Sequence, residues 1–216
     1  MYEFITHTWN AIKGECPHDC CYCYMKKMLG DKMPALRFDD SELRSNLGHG
    51  NFIFVGSSTD AWAEGVPSKW ITKMLDYCDK FNNRYLFQSK NPARFLEFTD
   101  HPVFKKSVFC TTVETNRDDQ AISKVPVMQE RAEAMAKLHE LGFTTYVTAE
   151  PCLDFDLKPM VELIRQCKPA QVNIGKNTWA QVALPEPTPE KVKALIEELR
   201  SFSKVIVKKN AIIWVS

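Results

Sequence analysis

Short apolar runs recur along this chain, and stretches of helical spacing separate them. The runs are NFIFVG (51–56), RYLFQ (84–88), SVFCTTV (107–113), FTTYVTA (143–149), AQVNIG (170–175) and KVIVK (204–208). They are rich in β-branched and aromatic residues and bounded by Gly, Ser, Asn or Lys, the pattern of strands buried on both faces. EFITHTW at 3–9 reads as a first strand, and AIIWV (211–215) as part of a last one or two around Lys209-Asn210. Between the runs, residues 67–81, 126–142, 156–167 and 188–202 carry helical periodicity. Pro67 and Pro189 sit at helix starts, Thr188 caps, and Gly142 follows a helix end. Shorter helices are expected over 39–47, capped by Asp39 or Asp40, and over 91–98.

Such β–α alternation, repeated about six times, argues for a parallel sheet with crossover helices. A doubly wound dinucleotide-binding sheet would carry a G-x-G-x-x-G turn after its first strand; here that position holds cysteines. A full eight-unit barrel usually needs about 250 residues, so 216 residues fit a partial, open (β/α)6-type TIM barrel in a single domain spanning 1–216.

The net charge of +1 offers no electrostatic track for nucleic acid, although a local patch stays open. No leader of basic then apolar residues opens the sequence, and no apolar run approaches membrane-spanning length. A cytoplasmic protein is expected. In a reducing compartment, clustered cysteines point to metal before disulfides.

Four of the eight cysteines fall in Cys16-Pro-His-Asp-Cys20-Cys21-Tyr-Cys23, with C-x3-C-x2-C spacing at Cys16, Cys20 and Cys23. Three thiolates can hold three irons of a [4Fe–4S] cluster and leave the fourth free to bind a small molecule. A structural zinc site would want four closed ligands; His18 or Cys21 keeps that reading open, with disulfides as the third. Cys78, Cys110, Cys152 and Cys167 read as buried small hydrophobes. In parallel α/β folds, chemistry gathers at the carboxyl ends of strands. Those ends supply Ser57, Ser58, Thr59 and Asp60; Gln88 to Asn91; Thr111, Thr112, Glu114 and Asn116; Thr148 and Glu150; Asn173, Lys176 and Asn177; and Lys208 to Asn210.

The cysteine loop resembles C-x3-C-x-aromatic-C of the radical S-adenosylmethionine (SAM) enzymes, with Tyr22 as the aromatic. The succession THTWNAIKGEC, FIFVGSSTDAWAE, YLFQSKNPARF, VFCTTVET and VTAEPCLDF is similar to the phage-type Gp37/Gp68 family of that superfamily, and more distantly to spore photoproduct lyases. The resemblance implies a radical SAM barrel in which Cys16, Cys20 and Cys23 hold a [4Fe–4S] cluster and SAM chelates its open iron. Reductive cleavage then yields a 5′-deoxyadenosyl radical that abstracts hydrogen from substrate, with flavodoxin or ferredoxin as electron donor. It places Ser57, Ser58 and Asp60 where the family's glycine-rich motif meets the methionine amino group, although this chain lacks the G-G-E form. Asp60 is the expected amino contact, Lys90 and Thr112 the carboxylate contacts, and Glu150 a lining residue.

The substrate is not specified. A nucleobase or nucleotide is one expectation and a peptide or small metabolite another. Lys26, Lys27, Lys32 and Arg94 are candidate backbone contacts. Lyase-like DNA repair and a non-catalytic zinc-binding domain are the alternatives. The missing C-terminal extension with a hydrogen-donor cysteine counts against the lyase and leaves the barrel mouth open to a partner.

Overall fold

The computed structural model describes residues 2–119, 121–179 and 181–215. Seven parallel strands neighbour one another in chain order: β1 (His7–Trp9), β4 (Phe52–Val55), β5 (Arg84–Ser89), β6 (Ser107–Thr112), β7 (Thr144–Ala149), β8 (Gln171–Ile174) and β9 (Lys204–Val207). A two-stranded antiparallel ribbon, β2 (Ile12–Lys13) with β3 (Arg37–Phe38), flanks the loop that holds the cysteines. The helices are α1 (Tyr24–Leu29), α2 (Ser68–Asp79), α3 (Met128–Glu140), α4 (Leu157–Gln166) and α5 (Pro189–Arg200). Two 3-10 helices, Pro92–Phe98 and Pro102–Lys106, make the β5–β6 crossover. The expected α/β open barrel is the observed architecture.

Strand periodicity assigns the two faces. Ile53, Val55, Phe87, Phe109, Val147 and Val172 turn toward the helices and form the main core with Met74, Met135, Ile164 and Leu195. Phe109 meets Phe95, Phe104 and Phe143 at ring-centroid distances of 5.1, 4.6 and 5.4 Å. Each such fully buried phenylalanine contributes about 1.5–3 kcal/mol. The opposite face carries Leu86, Val108 and Cys110, covered by Tyr2, Phe4 and Ile5. Registers align Gln88 with Cys110 and Tyr146, and Thr112 with Thr148 and Asn173. This inner face therefore turns polar toward the carboxyl ends.

Several expected elements differ. The first strand keeps only His7–Trp9, because Tyr2, Phe4 and Ile5 fold under the inner face. Phe52 and Phe54 of β4 are half-buried rather than enclosed, with Phe4 and Tyr2 as their cover. The helix expected over 39–47 is a 3-10 turn, Asp40–Arg44, which Asp39 caps through Ser41 N–H. Residues 211–215 add no strand: Lys209–Trp214 is a 3-10 helix. Ala211 and Trp214, three apart, are buried while Ile212 and Ile213 are exposed, a period of three rather than two. Thr188 accepts from Lys191 N–H at 3.3 Å as the sequence predicts, and Gly142 follows α3 at φ 88°. No helix among the described residues is long and apolar enough to cross a membrane.

Candidate functional site

The cysteine loop leaves β2 at Gly14, where φ is +103° and a Cβ would fall 2.3 Å from the Ala35 carbonyl oxygen. Only glycine fits that approach. Turns close from Asp19 N–H to the Cys16 carbonyl (3.1 Å) and from Cys23 N–H to the Cys20 carbonyl (3.2 Å), and Cys23 stands at the N-terminal boundary of α1 without a side-chain cap. Cys20 is buried, while Cys16, Cys21 and Cys23 are half-buried; all four are free thiols. The segment after β6 packs over the loop: Cys21 N–H donates to the Ile122 carbonyl (2.9 Å) and Lys124 N–H to that of His18 (2.7 Å).

The turn after β4 grips this loop from beneath. Asn10 Oδ1 accepts from Ser57 Oγ (3.2 Å) and Ser58 N–H (3.0 Å), and Tyr24 donates to the Ser57 carbonyl (2.8 Å). Thr59 Oγ1 donates to the Gly14 carbonyl at 2.8 Å. The Asp60 carboxylate lies 2.8 Å from His18 Nε2 and accepts from Ser89 Oγ (2.9 Å), Lys90 N–H (2.9 Å) and Trp62 N–H (2.9 Å). Burial alone would raise its pKa. The His18 imidazole and the backbone donors outweigh burial and hold it below the ordinary range. His18 Nδ1 faces the Lys124 carbonyl at 3.4 Å, so both ring nitrogens have protein partners.

Behind Cys20 lies a buried charged network that the sequence left scattered. The Glu114 carboxylate accepts from the Tyr22 hydroxyl, from Arg131 Nη1 at 2.9 Å, and pairs with Lys90 Nζ at 3.3 Å. Lys90 Nζ also lies 5.4 Å from the Tyr22 ring centroid. Burial pushes the Glu114 pKa up, but Lys90 and Arg131 pull it down to about 2. Two cations against one carboxylate leave a net positive charge beside Cys20. Glu114 stood in the strand-end inventory. Arg131, inside an expected helix, carried no signal that it would be 1% exposed.

Across the mouth, Glu150 pairs with Lys208 Nζ and accepts from Asn210 Nδ2 at 3.1 Å. Lys208 Nζ lies 4.8 Å from the Tyr2 ring centroid, and Tyr2 donates to Gln88 Oε1 at 2.7 Å. Thr112 is buried, with Gln88 Nε2 at 3.4 Å from its hydroxyl. Ser58 Oγ and Thr148 Oγ1 are buried without hydrogen-bond partners. The proposed site residues thus gather at the carboxyl ends of adjacent strands. Other expected contacts have protein partners instead: Arg94 donates to the Val66 carbonyl (2.9 Å) and Ser68 (2.9 Å), and Lys26 pairs with Asp19.

The donor set fits an iron–sulfur cluster. Three free thiols stand at C-x3-C-x2-C spacing, with the Lys90 ammonium close to Cys20. Burial and the Asp60 charge raise the Cys16 pKa to about 12, so a bound metal would have to displace the proton. Among the described residues no three His, Cys, Asp or Glu side chains are arranged to hold a single metal ion. The thiol type and the C-x3-C-x2-C spacing match a cubane cluster, which takes one thiolate on each of three irons.

Fold and site together define an open parallel α/β barrel with thiols at its mouth. Solved structures share this fold. A mutant of spore photoproduct lyase with bound AdoMet and dinucleoside spore photoproduct matches with a TM-score of 0.69, at 13% identity, over 92% of this chain and 75% of that one. Spore photoproduct lyase complexed with dinucleoside spore photoproduct gives 0.66, at 13% identity, over 92% and 75%. For anSMEcpe with bound AdoMet the values are 0.62 and 8%, over 94% of this chain and 63% of that one. At such identities the likeness establishes the fold alone. No family model matches the sequence, and no curated protein matches it.

Proposed function

We propose that this chain is a radical SAM enzyme that holds a [4Fe–4S] cluster on Cys16, Cys20 and Cys23. The observation that carries the reading is the placement of three free thiols at the mouth of this barrel, with Cys20 beside the net positive Lys90–Glu114–Arg131 group. When bound, the cluster and SAM supply one-electron cleavage of the sulfonium and a 5′-deoxyadenosyl radical that takes hydrogen from substrate.

The protein positions and shields. Lys90 keeps its charge despite burial because Glu114 compensates it, and two of its three N–H donors remain for a ligand carboxylate. Thr112 offers a hydroxyl on the adjacent strand. Ser57 and Ser58 offer hydroxyls on the turn beneath the cysteine loop, and that of Ser58 has no protein partner. Glu150, held by Lys208 and Asn210, lines the far side of the mouth. Tyr2, Phe4 and Ile5 close the bottom of the inner face and exclude water.

A nucleobase or nucleotide is the proposed substrate class. Half-buried Gln88 on the inner face, with the hydroxyls of Thr112 and Thr148, brings hydrogen-bond donors and acceptors to the mouth, as base edges require. The spore photoproduct lyase that shares the fold binds a dinucleoside, whereas anSMEcpe binds a peptide. Flavodoxin or ferredoxin is the proposed electron donor. Anaerobic reconstitution tests the reading. It predicts about four irons per chain, broad absorbance near ~400 nm, and 5′-deoxyadenosine on reduction with SAM. A colourless protein carrying one zinc would overturn it. Hydrogen incorporation from nucleosides against peptides then separates the substrate classes.

A further inference from the structure

We infer that Asp60 is a positioning residue that fastens the cysteine loop to the ends of β4 and β5, and that it is not the acceptor for a ligand ammonium. Four protein donors converge on its carboxylate: His18 Nε2 at 2.8 Å, and Ser89 Oγ, Lys90 N–H and Trp62 N–H at 2.9 Å each. A carboxylate offers about four lone-pair sites; His18, Ser89 and Lys90 N–H crowd Oδ2, Trp62 N–H takes one site of Oδ1, and burial shields the remaining one. The side chain is 12% exposed, and that of His18 is 4%.

The connectivity gives the bolt its meaning. His18 lies between Cys16 and Cys20, so the Asp60 carboxylate holds the cysteine loop at a residue between two of its thiols. Ser89, the last residue of β5, also accepts from Asn91 N–H at 2.8 Å, which fixes the turn after the strand. Trp62, two residues on, is buried among Phe87, Phe95 and Phe98 and anchors the turn in the core. Lys90 is also fixed here, since its backbone N–H is bound to Asp60 while its ammonium pairs with Glu114. Asp60 thus sets the spacing between the cysteine loop and the Lys90 ammonium without touching a ligand.

The test uses thiol chemistry on the metal-free chain, followed by iron uptake. Asp60→Asn, His18→Gln and the double variant are alkylated with a maleimide, and each cysteine is followed by mass spectrometry. A hydrogen bond to a charged group is worth roughly tenfold or more in a local opening equilibrium. Cys16 and Cys20 should therefore label at least about tenfold faster in each single variant, and the double should add little. Cys78, Cys110, Cys152 and Cys167 are buried in the core; unchanged labelling there shows that the fold is intact. If Asp60→Asn leaves Cys16 labelling at the wild-type rate, or if the core cysteines accelerate equally, the inference fails. The inference rests on the cluster reading only for its second arm. There, both single variants should lose iron per chain, while SAM affinity per remaining cluster is unchanged. Full iron in Asp60→Asn with SAM affinity lost, and His18→Gln silent, would make Asp60 the ligand and overturn the inference. Wild-type protein that takes up no iron would defeat the proposed function, and the alkylation result would still decide the inference.

Discussion

Gly175 lies directly beneath the carboxylate of Glu150: a Cβ at residue 175 would fall 2.6 Å from Glu150 Cδ and Oε1. The missing side chain lets Glu150 reach over β8 to Lys208 and Asn210, so β7 is tied to the segment after β9. Gly175→Ala should displace the carboxylate and cost about 1–3 kcal/mol, as overpacking commonly does. Glu150→Ala should relieve that penalty in the double variant. Denaturant unfolding of the four proteins checks the cycle, and equal losses with and without Glu150 would refute it.

Glu114 predicts an acid-sensitive fold. Burial raises its pKa, but Lys90 and Arg131 pull it to about 2, below its ordinary 4.5. Its stabilising contribution is therefore complete above about pH 4.5 and disappears as pH falls toward 2, a loss on the order of 3 kcal/mol. Glu114→Gln should flatten the stability profile in that window. At pH 7 it should cost about 3–5 kcal/mol, because Lys90 and Arg131 lose their counter-charge. Parallel unfolding curves for wild type and variant below pH 4.5 would contradict this.

Trp62 carries the turn that holds Asp60. It is fully buried against Phe95 at 4.7 Å and Phe87 at 5.4 Å. Trp62→Ala should cost about 3–5 kcal/mol, read as a lowered unfolding midpoint. Trp62→Phe should cost less, since it keeps a ring and removes an indole N–H that has no partner.

Cys21 separates the ligand assignment from mere cysteine content. Its backbone N–H is bound to the Ile122 carbonyl, and its thiol stands outside the C-x3-C-x2-C spacing. Cys21→Ala should keep the iron content of the wild type, whereas Cys16→Ala, Cys20→Ala and Cys23→Ala should each lose the cluster. Iron and sulfide analysis after anaerobic reconstitution decides this, and loss in Cys21→Ala alone would reverse the assignment.

Much of the fold was legible because local patterns and tertiary demands agree. The runs at 84–88, 107–113 and 143–149 are largely buried because helices cover one side and Tyr2, Phe4 and Ile5 cover Leu86, Val108 and Cys110 on the other. The misreading at 211–215 has the opposite cause: AIIWV has strand composition, but burial of Ala211 and Trp214 selects a 3-10 turn. Asp60 could be named from its place after β4, yet its four donors come from residues 18, 62, 89 and 90. No local window contains them.

The sequence by itself determined the alternation that makes a parallel sheet and the three-cysteine spacing, because both are short-range patterns. It also put polar residues at strand ends, where this topology collects them. Only the tertiary structure decided what those residues do to one another. It turned His18 onto Asp60, buried Arg131 against Glu114, and used the space above Gly175 for Glu150. Such partners lie far apart in the chain, and a buried charge acquires its partner only when the strands come into register.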